Sequence, residues 1–187
     1  MKTYPVKDLM VPLSEYATVS ETATLYEAVL ALEEAQEKYE DKHTRYSHRA
    51  ILILDKGGQV VGKLSQLDVL RALEPKYKKM LEGKGLQRYG FTKEFEKSLL
   101  EDYHLFAGPL DDICRRAGEQ SIKEFMYAPT EGEYVSEDAS LDVAIHQLVI
   151  GRHQSLLVTR NDKIVGVLRL TDVFAAVYHN MKACFNG

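Results

Sequence analysis

Two short patterns bring together residue types from which a binding site could be made: Gly62-Lys63-Leu64-Ser65-Gln66-Leu67-Asp68 and Gly166-Val167-Leu168-Arg169-Leu170-Thr171-Asp172. Their glycines and their aspartates stand at one spacing of 104 residues (166 − 62 and 172 − 68). In the first pattern a hydroxyl stands three positions before a carboxylate, where an apolar helical pattern begins. The N-terminus of a helix offers unpaired N–H groups and partial positive charge, which favour a phosphate, and an ionised carboxylate only accepts hydrogen bonds, which suits neighbouring hydroxyls. The same two residues also make a sound helix start without any ligand, Ser65 as N-cap and Asp68 at N3. The second copy keeps Asp172 but carries Arg169 in place of the serine. Its guanidinium either pairs with an anion directly or fills the space, and Thr171 either binds or caps the last helix.

A second cluster precedes an apolar run. His48-Arg49 stands before Ala50-Ile51-Leu52-Ile53-Leu54, and His153-Gln154 stands before Ser155-Leu156-Leu157-Val158-Thr159. Arg49 can give a forked pair of charge-assisted bonds to a phosphate, or lie at a strand edge as a surface arginine.

The elements that must position these residues occur twice. Val6 to Leu32 aligns without a gap onto Ile122 to Leu148 (122 − 6 = 116), with Lys7, Met10, Glu15, Val19, Ser20, Glu21, Ala23, Leu25, Ala28 and Leu32 meeting identical residues. Such density indicates a duplicated unit. In each unit a short helical turn is followed by a short strand, Thr18-Val19 or Tyr134-Val135. Leu25, Ala28, Val29 and Leu32 then recur at helical spacing behind a Thr24/Glu27 capping box, and Leu141, Ala144, Ile145 and Leu148 repeat the stripe. The charged stretch Glu33 to Lys42 lengthens the first unit and reads as a solvated face. The two apolar runs are strands covered on both faces, and the returning strands Val60–Leu64 and Ile164–Leu168 lead into closing helices. The order is strand, helix, strand, strand, helix, twice. This divides the chain into a first unit at 1–73, an inter-repeat segment at 74–120 and a second unit at 121–187. The inter-repeat segment is too long for a plain connector and is expected to hold a small helical insertion, with helices near 92–102 and 110–117. It packs across the units or presents Tyr89, Phe91 and Phe95 to a partner.

Composition narrows the function classes. Lys and Arg total 24 against 28 Asp and Glu, a net charge of −4, so no global basic field draws the chain to nucleic acid or an anionic membrane. Cys114 and Cys184 lack metal or redox spacing and read as reduced thiols. The opening residues have no signal-peptide core and no run approaches a membrane span, so a cytoplasmic address is expected. The chain has no Gly-x-Ser-x-Gly elbow, Walker loop, His-Glu-x-x-His or zinc-spaced Cys/His cluster. Neither a catalytic centre nor a metal site is expected, and the chain reads as a non-enzyme.

The β-α-β-β-α order, the duplication and the Gly-x-x-Ser-x-x-Asp ending resemble the cystathionine-β-synthase (CBS) domain pair, or Bateman module. Residues 6 to 73 and 122 to 181 carry the resemblance. It implies an α/β (α+β) fold of two pseudo-twofold-related units whose clefts bind adenine nucleotides or related adenosyl ligands, and which usually dimerise. It also implies that Ser65 faces a phosphate and Asp68 accepts from ribose hydroxyls. His48-Arg49 resembles a pair that contacts phosphate in adenylate-sensing members. Asp172, Arg169, His153 and Thr171 are the corresponding candidates in the second unit, where Arg169 and Gln154 depart from the pattern. No cofactor is implied. The expected ligand is AMP or another adenosyl compound (ADP, ATP or S-adenosylmethionine), and the expected partners are a second copy of the chain and a regulated protein. An interaction scaffold with vestigial clefts is the alternative.

Overall fold

The structure is a computed structural model that describes residues 4–40, 48–77, 80 and 92–185. Tyr89 and Phe91 lie outside them. The duplication is carried through element by element. The first unit runs β2 (Thr18–Ser20), α1 (Leu25–Glu40), β3 (Ala50–Leu54), β4 (Val60–Ser65) and α2 (Gln66–Ala72). The second runs β5 (Tyr134–Ser136), α5 (Leu141–Gly151), β6 (Ser155–Arg160), β7 (Lys163–Arg169) and α6 (Leu170–Phe185). Between them lie α3 (Lys93–Asp102) and α4 (Leu110–Gly118). The mixed α/β architecture with two sheets is the one the sequence indicates.

Local chemistry explains the starts of the helices. Thr24 accepts from the Glu27 N–H at 3.2 Å while the Glu27 carboxylate takes the Thr24 N–H at 2.7 Å, the reciprocal cap expected of that pair. The charged stretch of the first unit continues α1 as far as Glu40, with Glu33, Glu34, Glu37 and Lys38 facing solvent.

Both long strands are buried on two sides. On β3, Ile51 and Ile53 face the first unit's helices, whereas Leu52 faces the other sheet. On β6, Leu156 and Val158 face the second unit's helices and Leu157 meets Leu52 in the shared layer with Val11, Tyr16 and Val167. Every one of these aliphatic side chains is fully enclosed or nearly so. Alternate residues of a strand point to opposite faces, so a continuous apolar run serves two cores at once.

One feature does not follow from reading each repeat by itself. The leading segment of each repeat is placed on the other one. β1 (Val11–Pro12) pairs with β7, giving a four-stranded sheet ordered β1-β7-β6-β5 beside a three-stranded sheet ordered β2-β3-β4. In the reverse direction Tyr127 pairs with Lys63 of β4. The turn at Val6–Asp8 donates to the carbonyls of Ala139 and Glu137, and Ile122 in the matching turn donates to the Ala23 carbonyl. Val6 is buried in the second unit's core and Ile122 in the first's.

Gly62 and Gly166 stand where these exchanged segments cross. A Cβ on Gly166 would lie 2.5 Å from the Val11 carbonyl oxygen, and one on Gly62 would lie 2.8 Å from the Met126 sulfur. The glycine of each motif thus stands at a close approach, to backbone at Gly166 and to a side chain at Gly62.

The insertion is fastened at the end of α2. Glu74, only 6% exposed, accepts from the Phe106 N–H at 2.7 Å, and Lys76 donates to the carbonyls of Tyr103 and His104 at 2.9 and 3.0 Å. α4 buries Ile113 and Ala117, the latter in the first unit's core, while Phe95 on α3 is exposed. Packing and surface exposure are therefore divided between the two helices of the insertion.

Candidate ligand-binding site

A cavity of about 420 Å³ opens between the two units, with residues of both motifs in its wall. Ser65, Gln66 and Leu67 stand on one side and Arg169, Leu170 and Thr171 on the other. Arg49, Arg152, His153 and Gln154 also line it, as do Tyr16 and Tyr127. The two motifs therefore address one shared space, at the ends of β4 and β7.

The Ser65 side is built on a self-contained cap. Ser65 Oγ accepts from the Asp68 N–H at 3.3 Å, and Asp68 Oδ2 takes the Ser65 N–H at 2.8 Å and its hydroxyl at 2.5 Å. Arg71 donates to the remaining oxygen at 3.0 Å from a side chain 46% exposed. The ligand-free role of this pair, a reciprocal helix start, is fully formed. Ser65 reaches the cavity wall; Asp68 stands behind it.

Beneath Ser65 lies a buried ion pair. Lys63 donates to Glu133 at 2.7 Å and to Ser155 Oγ at 3.4 Å, with both ionised side chains only 6% exposed. Its ammonium sits 5.3 Å from the centre of the Tyr127 ring. Burial by itself would lower the Lys63 pKa, but the bonds to Glu133 and Tyr127 outweigh it and hold the group above the ordinary lysine value. Burial would likewise raise Glu133, yet bonds from Lys63 and Thr130 keep its carboxyl below the ordinary value. The pair joins the two units, Lys63 on β4 to Glu133 just before β5.

On the other side Arg169 is 5% exposed and grips Asp172 with a fork, Nε to Oδ2 at 2.6 Å and Nη2 to Oδ1 at 2.7 Å. α6 begins at Leu170, so Thr171 lies inside the helix and is not its cap. The His48-Arg49 pair is divided: Arg49 is exposed on the cavity wall, whereas His48 is fully buried with its ring 4.6 Å from that of Tyr16. A strand turns successive side chains to opposite faces, which is why the two part company.

Burial, followed by the nearby charge of Arg169, pushes the His48 pKa from 6.5 down to about 4, against smaller opposing effects of Glu15 and Asp172. The unfolded chain binds this proton first, so the group's contribution to stability is complete above about pH 6.5 and is lost as pH falls towards 4. Thermal melts of wild type and His48→Leu should therefore diverge across that window, with the wild type losing more stability on acidification. Parallel curves would refute the assignment.

Lys63, Glu133, Tyr16, Tyr127 and Arg152 are site residues that the motif reading did not single out. One signal was present: a lysine inside the otherwise apolar Val60–Leu64 run, where the second copy has Val167. Arg152 carries another mark, a left-handed backbone with φ of 53° at the end of α5. Neither it nor Arg49 forms an ion pair among the described residues. No group of acidic, cysteine or histidine side chains suited to a metal occurs among the described residues, and no helix there is long and apolar enough to cross a membrane.

The CBS-domain sequence profile matches residues 6–75 and 122–179, one match on each repeat. The chain belongs to the CBS-domain family. No curated protein matches this CBS pair. Solved structures share its fold at low identity. CBSX2 in complex with AMP is 19% identical over 95% of this chain and 98% of its own, with a TM-score of 0.57. CBSX2 from Arabidopsis thaliana is 17% identical, covering 96% and 97%, with a TM-score of 0.59. A CBS-domain-containing protein of unknown function from Bacillus anthracis is 18% identical, covering 94% of each chain, with a TM-score of 0.59.

Proposed function

We propose that this CBS pair is a regulatory module that binds an adenine nucleotide, AMP first, in the cavity between its units and signals occupancy to a protein partner. The carrying observation is the shared cavity with Arg49 and Arg152 on its wall, two arginines from different units and neither held by a carboxylate among the described residues. Among the described residues its one acidic lining group, Glu133, is neutralised by Lys63. The wall therefore favours an anion, and a guanidinium suits a phosphate. The half-exposed ring of Tyr127 adds apolar surface for a base. The likeness to a CBS pair solved with AMP supports the same ligand class. Because both units line the cavity, a ligand that contacts both favours one arrangement of them, which is the condition for occupancy to shift an equilibrium.

Calorimetric titration with AMP, ADP, ATP and S-adenosylmethionine tests this. Saturable binding of at least one ligand, weakened tenfold or more in Arg49→Ala with Arg152→Ala, is the expected result. No uptake of any of the four would sink the reading. The internal bonding of Asp68 and Asp172 favours a second reading, an interaction scaffold that works without ligand. Under it, a partner captured by the wild type would be lost on removing residues 92–105, and added nucleotide would change nothing.

The partner we assign besides the regulated protein is a second copy of the chain. α5 and α6 expose Val149 at 66%, Ile150 at 73%, Phe174 at 65% and Met181 at 59%. Apolar surface gathered on adjacent helices marks an interaction site. Light scattering should give twice the chain mass, and Ile150→Glu with Phe174→Glu should reduce it to the monomer. A monomeric wild type would exclude the dimer.

A further inference from the structure

The two sides of the cavity stand in corresponding places of the two repeats but are filled differently. Ser65 corresponds to Arg169, Lys63 to Val167, Tyr127 to Val11 and Glu133 to Ala17. On the Ser65 side Asp68 Oδ2 is held by the serine of its own cap, but among the described residues Oδ1 has only a partner that is easily exchanged for water, because Arg71 is 46% exposed and a surface pair of this kind contributes little. On the other side both oxygens of Asp172 are held by a guanidinium whose side chain is 6% exposed. A ligand hydroxyl seeking Asp172 would have to break a forked, enclosed charge pair and leave the arginine without its counter-ion. Behind that pair the space is filled by Tyr16 and His48, 6% and 0% exposed, their ring centres 4.6 Å apart and their planes tilted by 58°. The cavity of about 420 Å³ is at the low end of the range for a single small ligand.

We infer that this CBS pair takes one nucleotide per chain, on the Ser65 side, and that Arg169 excludes a second by occupying the place of the serine and holding Asp172. The inference rests on the nucleotide reading of the cavity. Arg169 is thereby a residue that sets stoichiometry. Arg169→Ser gives the second motif the same Ser-x-x-Asp sequence as the first, so the helix start retains a cap.

The experiment is calorimetric titration of the full chain with AMP, with melting curves to confirm folding. Wild type should take up one equivalent, Asp68→Ala should take up none, and Arg169→Ser should take up two. The second equivalent should vanish in Arg169→Ser with Asp172→Ala. Two equivalents in the wild type, one retained by folded Asp68→Ala, or one only in folded Arg169→Ser would each overturn the inference and leave the nucleotide reading standing. Wild type and Asp68→Ala decide the question even where the serine variant does not fold. AMP uptake by neither wild type nor Arg169→Ser would count against the nucleotide reading itself and remove this inference with it.

Discussion

Replacing Lys63 with valine is expected to destabilise the chain by about 3–5 kcal/mol, whereas Lys63→Val combined with Glu133→Ala should be close to neutral or stabilising. The single change leaves a carboxylate enclosed with its cation gone; the double change removes both charges from a site where their desolvation opposes their attraction. The replacements are those the other repeat uses, since Val167 and Ala17 occupy the matching positions and are buried without charge. For a chain of this size the single substitution should lower the melting temperature by on the order of 10 °C. Thermal melts of the four proteins in the cycle measure the coupling directly. Equal losses in the single and double variants would show that the pair is not the source. The pH dependence has a fixed sign. Glu133 is depressed, so its share of stability is present above the ordinary carboxylate range and is lost as pH falls through its lower folded value. Lys63 is raised, so its share is present below the ordinary lysine range and is lost as pH rises through its higher folded value. Between these limits the pair should be insensitive to pH.

Gly166→Ala is expected to destabilise by about 2–3 kcal/mol, and Gly62→Ala by about 1 kcal/mol, although the two glycines hold the same place in their motifs. The difference lies in what the new methyl group meets. At Gly166 the obstacle is the backbone oxygen of Val11, fixed by the pairing of β1 with β7, so the strand itself must move. At Gly62 the nearest atom is the sulfur of Met126, which a flexible side chain can withdraw. Denaturant titration of both variants gives the comparison. Equal losses would mean that the contact atoms do not govern the cost.

Much of this architecture is written in local signals. Leu25, Ala28 and Leu32 at helical spacing, the Thr24/Glu27 box and the doubly covered run from Ala50 to Leu54 each depend on neighbours within one element, and each is seen as read. The cap of Ser65 and Asp68 is equally local. The partner of Lys63 was not legible, because Glu133 is 70 positions away in the other repeat and the motif contains nothing that points to it. The division of His48 from Arg49 depends on which face of the strand entry meets Tyr16, a tertiary matter. Nor could the alignment of the repeats say on which copy the leading segments rest. Two turns as alike as Val6-Lys7-Asp8 and Ile122-Lys123-Glu124 fit either core by sequence, and the choice is made by chain geometry.

That placement means that a single repeat is an incomplete object. Residues 1–73 alone would leave Val6 and Val11 without the core and the strand that receive them, and the Lys63 edge of their own sheet without Tyr127. Half of this chain would carry both an unfilled seat and the part that fits it. Two such halves could satisfy each other only by trading ends, so the smallest self-sufficient version of the fold is already a couple, whether or not a peptide joins its members.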